Sequence, residues 1–284
     1  MKFIIGKTAG FCFGVKNAVT KTVEELDKNN KIYCLGELVH NKQVTEELTK
    51  KGAKFIDNLE EANGKVIIRS HGVTKNIYEK AKGLDIELLD LTCPKVLHIH
   101  KIAEEYAKKD YYIFIVGKAE HPEMIGTISF CGDNYFVIEK EEDVSNAINS
   151  FKKSCKENVL VISQTTYSLE KFNNIVNILK ENIDQGHLEI KNTICTATKQ
   201  RQEETIEIAK EVDAMIIVGG KHSSNSNKLY ELAKKYCNKV LFVETEQEID
   251  INNVQNVNTV GIMAGASTPE KSIKKVVEKL EQIC

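Results

Sequence analysis

The chain has 284 residues, of which 42% are hydrophobic and 28% are charged, and its formal net charge is −2 at pH 7. This composition is typical of a globular protein with a substantial core, and a near-neutral charge argues against a basic nucleic-acid-binding face. The apolar run after Met1 and the longest run, Tyr111 to Val116, are too short for a signal peptide or a membrane span. We therefore expect a cytoplasmic protein with no membrane or nucleic-acid partner.

Short apolar runs alternate with helical patterns from the first residues onward. Up to residue 93, the predicted strands are Lys2 to Ile5, Lys31 to Leu35, Val66 to Ile68 and Ile86 to Leu89. Apolar residues at helical spacing from Val15 to Leu26 predict a helix just after Cys12. Thr74 is placed to cap a further helix that begins at Lys75.

The same order of elements recurs in the rest of the chain. The further predicted strands are Tyr112 to Val116, Asn158 to Ile162, Leu188 to Ile190, Ala214 to Val218 and Thr259 to Met263. Helices are predicted from Val96, from Leu169 with Ser168 as its cap, after Cys195 and at the end of the chain. Strands that alternate with helices in this way indicate parallel sheets covered by helices.

A fixed spacing relates three stretches of the chain. Cys12, Cys93 and Cys195 each precede a probable helix. Each is followed 24 residues later by a glycine that closes an apolar run (Gly36, Gly117 and Gly219) and 28 residues later by His40, His121 or Ser223. Self-similarity of this kind indicates repeated supersecondary units.

We therefore predict an α/β fold of three similar small parallel-sheet units, arranged as a pseudo-threefold trefoil around a central cluster. The expected units are residues 12–93, 94–194 and 195–284. The third unit lacks the strand that precedes a cysteine in the other two, so we expect residues 1–11 to complete it. Sites in parallel sheets form at the carboxyl ends of strands, and the residues singled out here follow such ends.

One cysteine from each unit suggests a shared metal centre. Three thiolates suit an iron–sulfur cluster and leave one iron without a protein ligand, where a substrate oxygen could bind. A structural zinc site with three cysteines and one histidine is the alternative. The separations of 81 and 102 residues between Cys12, Cys93 and Cys195 are much longer than those of zinc fingers.

The chain has eight cysteines, and no two of them form a Cys-x-x-Cys motif. In a protein expected in the cytoplasm, this favours metal or redox chemistry over a disulfide framework. The five cysteines without counterparts in the other units are interpreted as structural or incidental, because a thiol behaves as a small hydrophobic group. They are Cys34, Cys131, Cys155, Cys237 and Cys284.

Polar residues without many cations follow several predicted strands. Backbone N–H groups at the start of a helix, together with the helix dipole, bind phosphate without lysine or arginine. Hydroxyl, amide and imidazole groups would add hydrogen bonds to such an anion. The alternative is that these residues only cap helices and form turns. They are His40, His71, Ser223, Ser224, Asn225, Ser267 and Thr268.

Glu123, in His121-Pro122-Glu123, is the acid–base candidate, with a possible hydroxyl relay from Thr165. A carboxyl group in a water-poor cavity keeps its proton more readily, which suits a proton donor at neutral pH. The alternative is a loop glutamate that faces solvent. The remaining histidines are interpreted as surface or packing residues: His98, His100, His187 and His222.

Nine short motifs occur in one order along almost the whole chain. They are Gly10-Phe11-Cys12, Val39-His40-Asn41, Ser70-His71-Gly72, Thr92-Cys93-Pro94, His121-Pro122-Glu123, Gln164-Thr165-Thr166, Ile194-Cys195, Ser223-Ser224-Asn225-Ser226-Asn227 and Ala264-Gly265-Ala266-Ser267. Together they resemble the 4-hydroxy-3-methylbut-2-enyl diphosphate reductases, iron–sulfur enzymes of the non-mevalonate isoprenoid route. Phe13 departs from this resemblance, because a small residue is expected after the first cysteine.

The resemblance implies a 4Fe–4S cluster held by Cys12, Cys93 and Cys195, whose open iron takes the hydroxyl oxygen of the substrate. Two electrons and two protons would then remove that oxygen as water and give isopentenyl or dimethylallyl diphosphate. The same resemblance implies that Glu123 supplies protons and that Thr165 and His121 position the hydroxyl end. It assigns the diphosphate to His40, His71, Ser223, Ser224, Asn225 and Ser267, and it implies an external electron donor such as a ferredoxin or flavodoxin.

Other classes of protein use similar residues. A non-redox iron–sulfur hydro-lyase also combines three cysteines with an open iron, but its turnover consumes no electrons. An iron–sulfur redox protein or iron sensor would bind no diphosphate. A structural zinc protein would differ in its metal content.

Overall fold

The computed structural model describes residues 1–28, 31–250, 254 and 257–282. The strands are β1 (Lys2–Ile5), β2 (Ile32–Leu35), β3 (Ala53–Ile56), β4 (Lys65–Ile68), β5 (Leu88–Asp90), β6 (Tyr112–Val116), β7 (Tyr135–Ile138), β8 (Val159–Ser163), β9 (Leu188–Ile190), β10 (Ala214–Val218), β11 (Val240–Val243) and β12 (Thr259–Ala264). The helices are α1 (Phe13–Lys28), α2 (Lys42–Lys50), α3 (Lys75–Gly83), α4 (Pro94–Lys108), α5 (Pro122–Ile128), α6 (Val144–Lys153), α7 (Leu169–Asn182), α8 (Thr196–Glu211), α9 (Ser224–Tyr236) and α10 (Glu270–Glu281).

The described strands form three four-stranded sheets in which every pairing is parallel. Their strand orders are β3-β2-β4-β5, β7-β6-β8-β9 and β11-β10-β12-β1. The strand that follows the helix after each repeat cysteine is β2, β6 or β10. Each of these strands pairs with the next strand of the chain on one side and with the strand after that on the other. The predicted α/β class and its three similar parallel sheets are confirmed.

The central strands are buried on both faces, which explains why their sequences are continuous apolar runs. In β6, Tyr112, Phe114 and Val116 enter one hydrophobic cluster, while Ile113 and Ile115 enter another on the opposite face. The residues of β10 divide between two clusters in the same alternating way. In the sheets that contain β6 and β10, helices pack on both faces and leave the strand ends available for other groups.

The three glycines of the sequence repeat occupy equivalent positions. Gly36, Gly117 and Gly219 directly follow β2, β6 and β10, and each donates its N–H to the last carbonyl of the neighbouring edge strand, at 2.8, 3.0 and 2.9 Å. Gly36 has a positive φ of 71°, which favours glycine. A Cβ at Gly117 would lie 2.7 Å from Sδ of Met124, so no side chain fits there without a shift.

Strand β1 pairs in parallel with β12, from Lys2 opposite Thr259 to Ile5 opposite Ile262. The first strand of the chain thus lies in the sheet of the third predicted unit. Sequence analysis missed β3, β7 and β11, which each pair with a single neighbour and are only partly buried. Edge position does not account for the omission, because β1, β5 and β9 are also partly buried edge strands and were predicted.

The chain divides into two compact regions. Region 1 consists of Met1–Val19, Val39–Lys51 and Thr196–Cys284, and region 2 consists of Thr20–Leu38 and Gly52–Cys195. Region 1 contains the sheet with β10, and region 2 contains the sheets with β2 and β6. The unit boundaries at residues 93 and 194 remain a prediction. Among the described helices, none combines the length and apolar character needed to cross a bilayer.

Gly261 in β12 provides a test of how tightly the strand and helix layers pack. An added Cβ would collide with Sδ of Met215 and lie 2.5 Å from Cγ2 of Ile208. We expect Gly261→Ala to lower the free energy of unfolding by about 1–3 kcal/mol, measured by urea denaturation. Gly83→Ala is the matched control, because no atom lies within 4 Å of its added Cβ at the end of α3. That variant should be unchanged or more stable by about 0.5–1 kcal/mol, and equal losses in both would contradict the packing argument.

Candidate active site

Each of the three repeat cysteines stands directly before a helix. Cys12, Cys93 and Cys195 precede α1, α4 and α8, and all three are half-buried. None of these helices has an acidic residue in its first turn. Thiolates are the form of cysteine that binds metal. The sequence therefore gives three cysteines the same position relative to a helix, and their ligation of a metal stays a prediction.

The same backbone hydrogen bond fixes each of these cysteines. The N–H of Cys12 donates to Ala266 O at 3.1 Å, and the N–H groups of Cys93 and Cys195 donate to Ser70 O and Thr165 O, each at 3.0 Å. Every acceptor lies two residues beyond the end of a parallel strand, after β12, β4 and β8 respectively. Each cysteine is thus tied to the carboxyl end of a sheet, where the sequence analysis expects sites to form.

The other described cysteines have different surroundings. Cys34, Cys131 and Cys237 are buried and Cys155 is exposed, while Cys284 lies outside the described residues. Burial raises the pKa of Cys34 and of Cys131 to about 12, so both remain neutral thiols. Within the described residues, no three His, Cys, Asp or Glu side chains converge as a metal site. Joint ligation by Cys12, Cys93 and Cys195 therefore remains a prediction.

Glu123 and Thr165 form a buried pair. Glu123 lies in the first turn of α5 and is only 2% exposed. Its Oε1 accepts the backbone N–H of Thr165, and its Oε2 accepts the hydroxyl, both at 2.6 Å. Burial raises the pKa of Glu123 to about 7, and the two hydrogen bonds from Thr165 oppose that rise. The carboxyl group can therefore both hold and release a proton near neutral pH.

Two histidines lie next to this pair. His121 caps α5, and its Nδ1 accepts the N–H of Glu123 at 3.1 Å. The ring of His71 meets the ring of His121 edge to face, with centroids 5.7 Å apart. Because Thr165 also bonds Cys195, a continuous series of contacts within region 2 joins Cys195, Thr165, Glu123, His121 and His71. At the His71 end of this series, the backbone carbonyl of the preceding residue, Ser70, accepts the N–H of Cys93.

Region 1 brings together the remaining predicted anion-binding residues. The hydroxyl of Ser267 donates to His40 O at 3.1 Å, and an added Cβ at Gly220 would lie 2.8 Å from that same oxygen. Ser223 caps α9, where its hydroxyl accepts the N–H of Ser226, and Ser224 is the first residue of the helix. These contacts connect the loops after β10 and β12 with the loop that precedes α2.

Asn225, in the first turn of α9, is 4% exposed, yet neither atom of its side-chain amide forms a hydrogen bond within the described residues. A buried polar group in this condition carries a desolvation penalty of roughly 1–3 kcal/mol. An anion at the start of the helix would accept a hydrogen bond from this amide. A buried amide without a partner is rare enough to need an explanation, and the predicted role of Asn225 in binding an anion would provide one.

Three residues missed by the sequence analysis also shape these loops. Asn41, rather than His40, caps α2 by accepting the N–H of Val44. The amide of Gln164 accepts the N–H of Lys118 and donates to the hydroxyl of Thr166. Ser226 is fully buried against Gly219 and Gly265, so that a Cβ on either glycine would collide with its hydroxyl. All three residues lie inside the nine short motifs of the sequence, and those motifs could have identified them.

Phe13, the departure noted beside the first cysteine, is 77% exposed. Its ring therefore points away from the packed surroundings of Cys12. The larger side chain is accommodated without displacing the loop that holds this cysteine.

Three parallel sheets, each with a cysteine held at a strand end directly before a helix, define an α/β protein with three equivalent cysteine loops. The family model described as LytB protein matches residues 3–281. The chain belongs to the LytB protein family.

Individual relatives agree over their full lengths. A protein from Caldanaerobacter subterraneus subsp. tengcongensis named 4-hydroxy-3-methylbut-2-enyl diphosphate reductase is 39% identical, with 100% of this chain and 98% of the relative covered. One of the same name from Clostridioides difficile is 40% identical, with both chains covered completely. The solved structure of the E-1-hydroxy-2-methyl-but-2-enyl-4-diphosphate reductase from Plasmodium falciparum is 31% identical, with a TM-score of 0.88 over 98% of this chain and 87% of that one. The predicted family is confirmed.

The raised pKa of Glu123 has a consequence for stability. Because the pKa rises from 4.5 to about 7 on folding, the folded state holds this proton more tightly than the unfolded chain. The resulting stabilisation is complete below the unfolded pKa and is lost as the pH rises through the folded pKa, a change of roughly 3 kcal/mol. Glu123→Gln keeps a neutral side chain, so we expect urea denaturation to show no such loss in this variant. Exposed Glu207→Gln should reproduce the wild-type pH dependence, and a wild-type curve without this loss would contradict the argument.

Proposed function

We propose that this chain catalyses the reductive removal of the hydroxyl group from (E)-4-hydroxy-3-methylbut-2-enyl diphosphate. The carbon–oxygen bond breaks, two electrons and two protons enter, and the products are water and either isopentenyl diphosphate or dimethylallyl diphosphate. Membership of the LytB protein family and full-length relatives named as this reductase support the reaction. The observation that carries it is the buried Glu123–Thr165 pair on the loop that bonds Cys195.

The proposed cofactor is a 4Fe–4S cluster with Cys12, Cys93 and Cys195 as its ligands. Three half-buried thiols in equivalent backbone settings, each at the start of a helix without first-turn acid, fit ligation by thiolates. When bound, such a cluster supplies electrons singly and an iron atom that no protein side chain holds. An external donor such as a ferredoxin or flavodoxin would provide the electrons, and a cytoplasmic location is proposed from composition.

Glu123 is the proposed proton source. With a pKa of about 7, a substantial fraction of its carboxyl groups carries a proton at neutral pH. Oε2 lies 2.6 Å from the hydroxyl oxygen of Thr165, so a proton on Oε2 can pass to that oxygen while Thr165 passes its own proton to the leaving hydroxyl group. Because Nδ1 of His121 accepts a backbone N–H, a neutral ring carries its proton on Nε2, where it can donate to the substrate.

The diphosphate is proposed to bind His40, His71, Ser223, Ser224, Asn225 and Ser267. The start of α9 supplies backbone N–H groups and the positive end of a 13-residue helix dipole. The amide of Asn225, which forms no hydrogen bond within the described residues, would add a donor. The hydrogen bond from Ser267 to His40 O supports a common role for those two residues.

Replacing the proposed proton source should separate chemistry from cofactor binding. We expect Glu123→Gln to retain its iron but to lose at least about 100-fold in kcat, because the neutral amide has no acidic proton to give. Turnover is measured with a small chemical reductant, so that no protein donor limits the rate. Exposed Glu120→Gln, three residues away, is the control and should turn over normally. Near-normal turnover by Glu123→Gln would remove this residue from the proton role.

Iron content and electron paramagnetic resonance test the cofactor and the substrate class together. We expect Cys93→Ser to lose or degrade the cluster, while Cys237→Ser, a change at a buried cysteine outside the repeat, keeps wild-type iron. The signal of anaerobically reduced wild-type protein should change when the hydroxylated diphosphate is added. A signal indifferent to the diphosphate would favour an iron–sulfur sensor, and zinc without iron would favour a structural metal protein. Dehydration without consumption of electrons would favour a hydro-lyase.

A further inference from the structure

His100 is a buried histidine that the proposed reaction does not use. It lies in α4, seven residues after Cys93, and is only 3% exposed. Its ring stacks on Phe130 with centroids 4.5 Å apart and an interplanar angle of 19°. Both ring nitrogens are buried, and neither forms a hydrogen bond within the part of the chain that the structure describes. Burial lowers its pKa to about 4, so the ring is neutral at physiological pH.

The edge of this ring occupies the space left by two glycines. A Cβ at Gly72 would lie 2.9 Å from Cε1 of His100, and a Cβ at Gly126 would lie 3.4 Å from Nε2. Gly72 has a positive φ of 76°, which accounts for glycine independently of the ring. Gly126 lies inside α5, where glycine is less favourable than alanine. The close approach of His100 and of Val73 O, 3.3 Å from the same Cβ position, explains why glycine stands there.

The two segments on either side of the ring both carry proposed active-site residues. Gly72 directly follows His71, and Gly126 lies one helical turn after Glu123 in the helix that His121 caps. The rings of His71 and His121 meet across this region. The distance between the His71 loop and α5 therefore determines how a diphosphate-binding group is placed relative to the protonating groups.

We propose that His100 is a positioning residue whose flat ring sets the spacing between the His71 loop and α5. This inference rests on the function proposed above. A five-membered ring is thin enough to fit between two glycine backbones and wide enough to stack on Phe130. Leucine is thicker and would press the two segments apart, whereas alanine would leave a gap into which they could collapse.

The energetics support a role beyond packing. Each ring nitrogen carries the desolvation penalty of a buried polar atom without a partner, and an apolar side chain would avoid that penalty. In His100→Leu the relief of that penalty offsets the cost of fitting a thicker side chain, so we expect the variant to fold and to melt close to the wild-type temperature. A residue that only filled space could be replaced in this way without loss of activity.

The kinetic test uses the iron-loaded enzyme with a small chemical reductant. We expect His100→Leu to keep its iron and its melting temperature while kcat/KM falls at least about tenfold, because small displacements of reacting groups are costly. Gly126→Ala keeps His100 and adds a methyl group next to its ring from the side of α5. We expect this variant to show a similar loss of kcat/KM. His98→Leu, at an exposed position two residues earlier on the same helix, is the control and should be unchanged. If both gap variants stay within about twofold of wild type in kcat/KM, the proposal is wrong.

A spectroscopic readout separates positioning from turnover. In histidine-labelled protein, the Cε1 resonances of His71 and His121 should shift in Gly126→Ala as well as in His100→Leu, while those of His187 and His222 stay in place. Unmoved His71 and His121 signals would overturn the proposal even if activity were lost. If these signals shift in the variants but the wild-type protein does not reduce the diphosphate, the proposed reaction is wrong and the spacing role of His100 stands.

Discussion

A single backbone hydrogen bond, repeated three times, organises this protein. Each repeat cysteine donates its N–H to a carbonyl two residues beyond the end of a parallel strand, so the thiols are placed by the sheets and not by side-chain packing. The acceptor loops also carry the polar groups: His71 follows Ser70, Ser267 follows Ala266, and Thr165 is itself an acceptor. One interaction therefore brings a proposed metal ligand and a proposed substrate-binding group to the same strand end in each sheet.

The chemistry of the site depends on a balance at Glu123. Complete burial disfavours its charged form, whereas two hydrogen bonds from Thr165 favour it. Burial is the larger effect, and the resulting pKa lies close to neutrality. A more exposed glutamate would be a carboxylate throughout the physiological range, and one without the Thr165 contacts would hold its proton too firmly. The strand end that supplies Thr165 thus sets both the position and the acidity of the proposed proton source.

Spacing along the chain predicted the central strands, the helices after the three cysteines and the parallel sheets, because continuous apolar runs and fixed offsets are properties of sequence alone. It did not predict β3, β7 or β11, although Tyr135–Ile138 and Val240–Val243 are themselves short apolar runs. It also aligned His40 with His121 and Ser223, although the equivalent helix cap is Asn41. Which residue caps a helix depends on where the preceding loop turns, and a fixed spacing from a cysteine does not show this. His100 was interpreted as a packing or surface residue, because the two glycines that it separates are distant in sequence.

The unsatisfied amide of Asn225 has a consequence for how the protein responds to its ligand. The hydroxyl of Ser226, one residue later, is likewise buried without a hydrogen bond in the described chain. In the proposed anion-binding role, these two buried groups lower the stability of the folded protein and leave the start of α9 already arranged for the anion. Little conformational entropy then remains to be lost when an anion arrives, so more of the interaction energy appears as affinity. If the proposed diphosphate binds there, it would offset part of this cost and stabilise the folded protein.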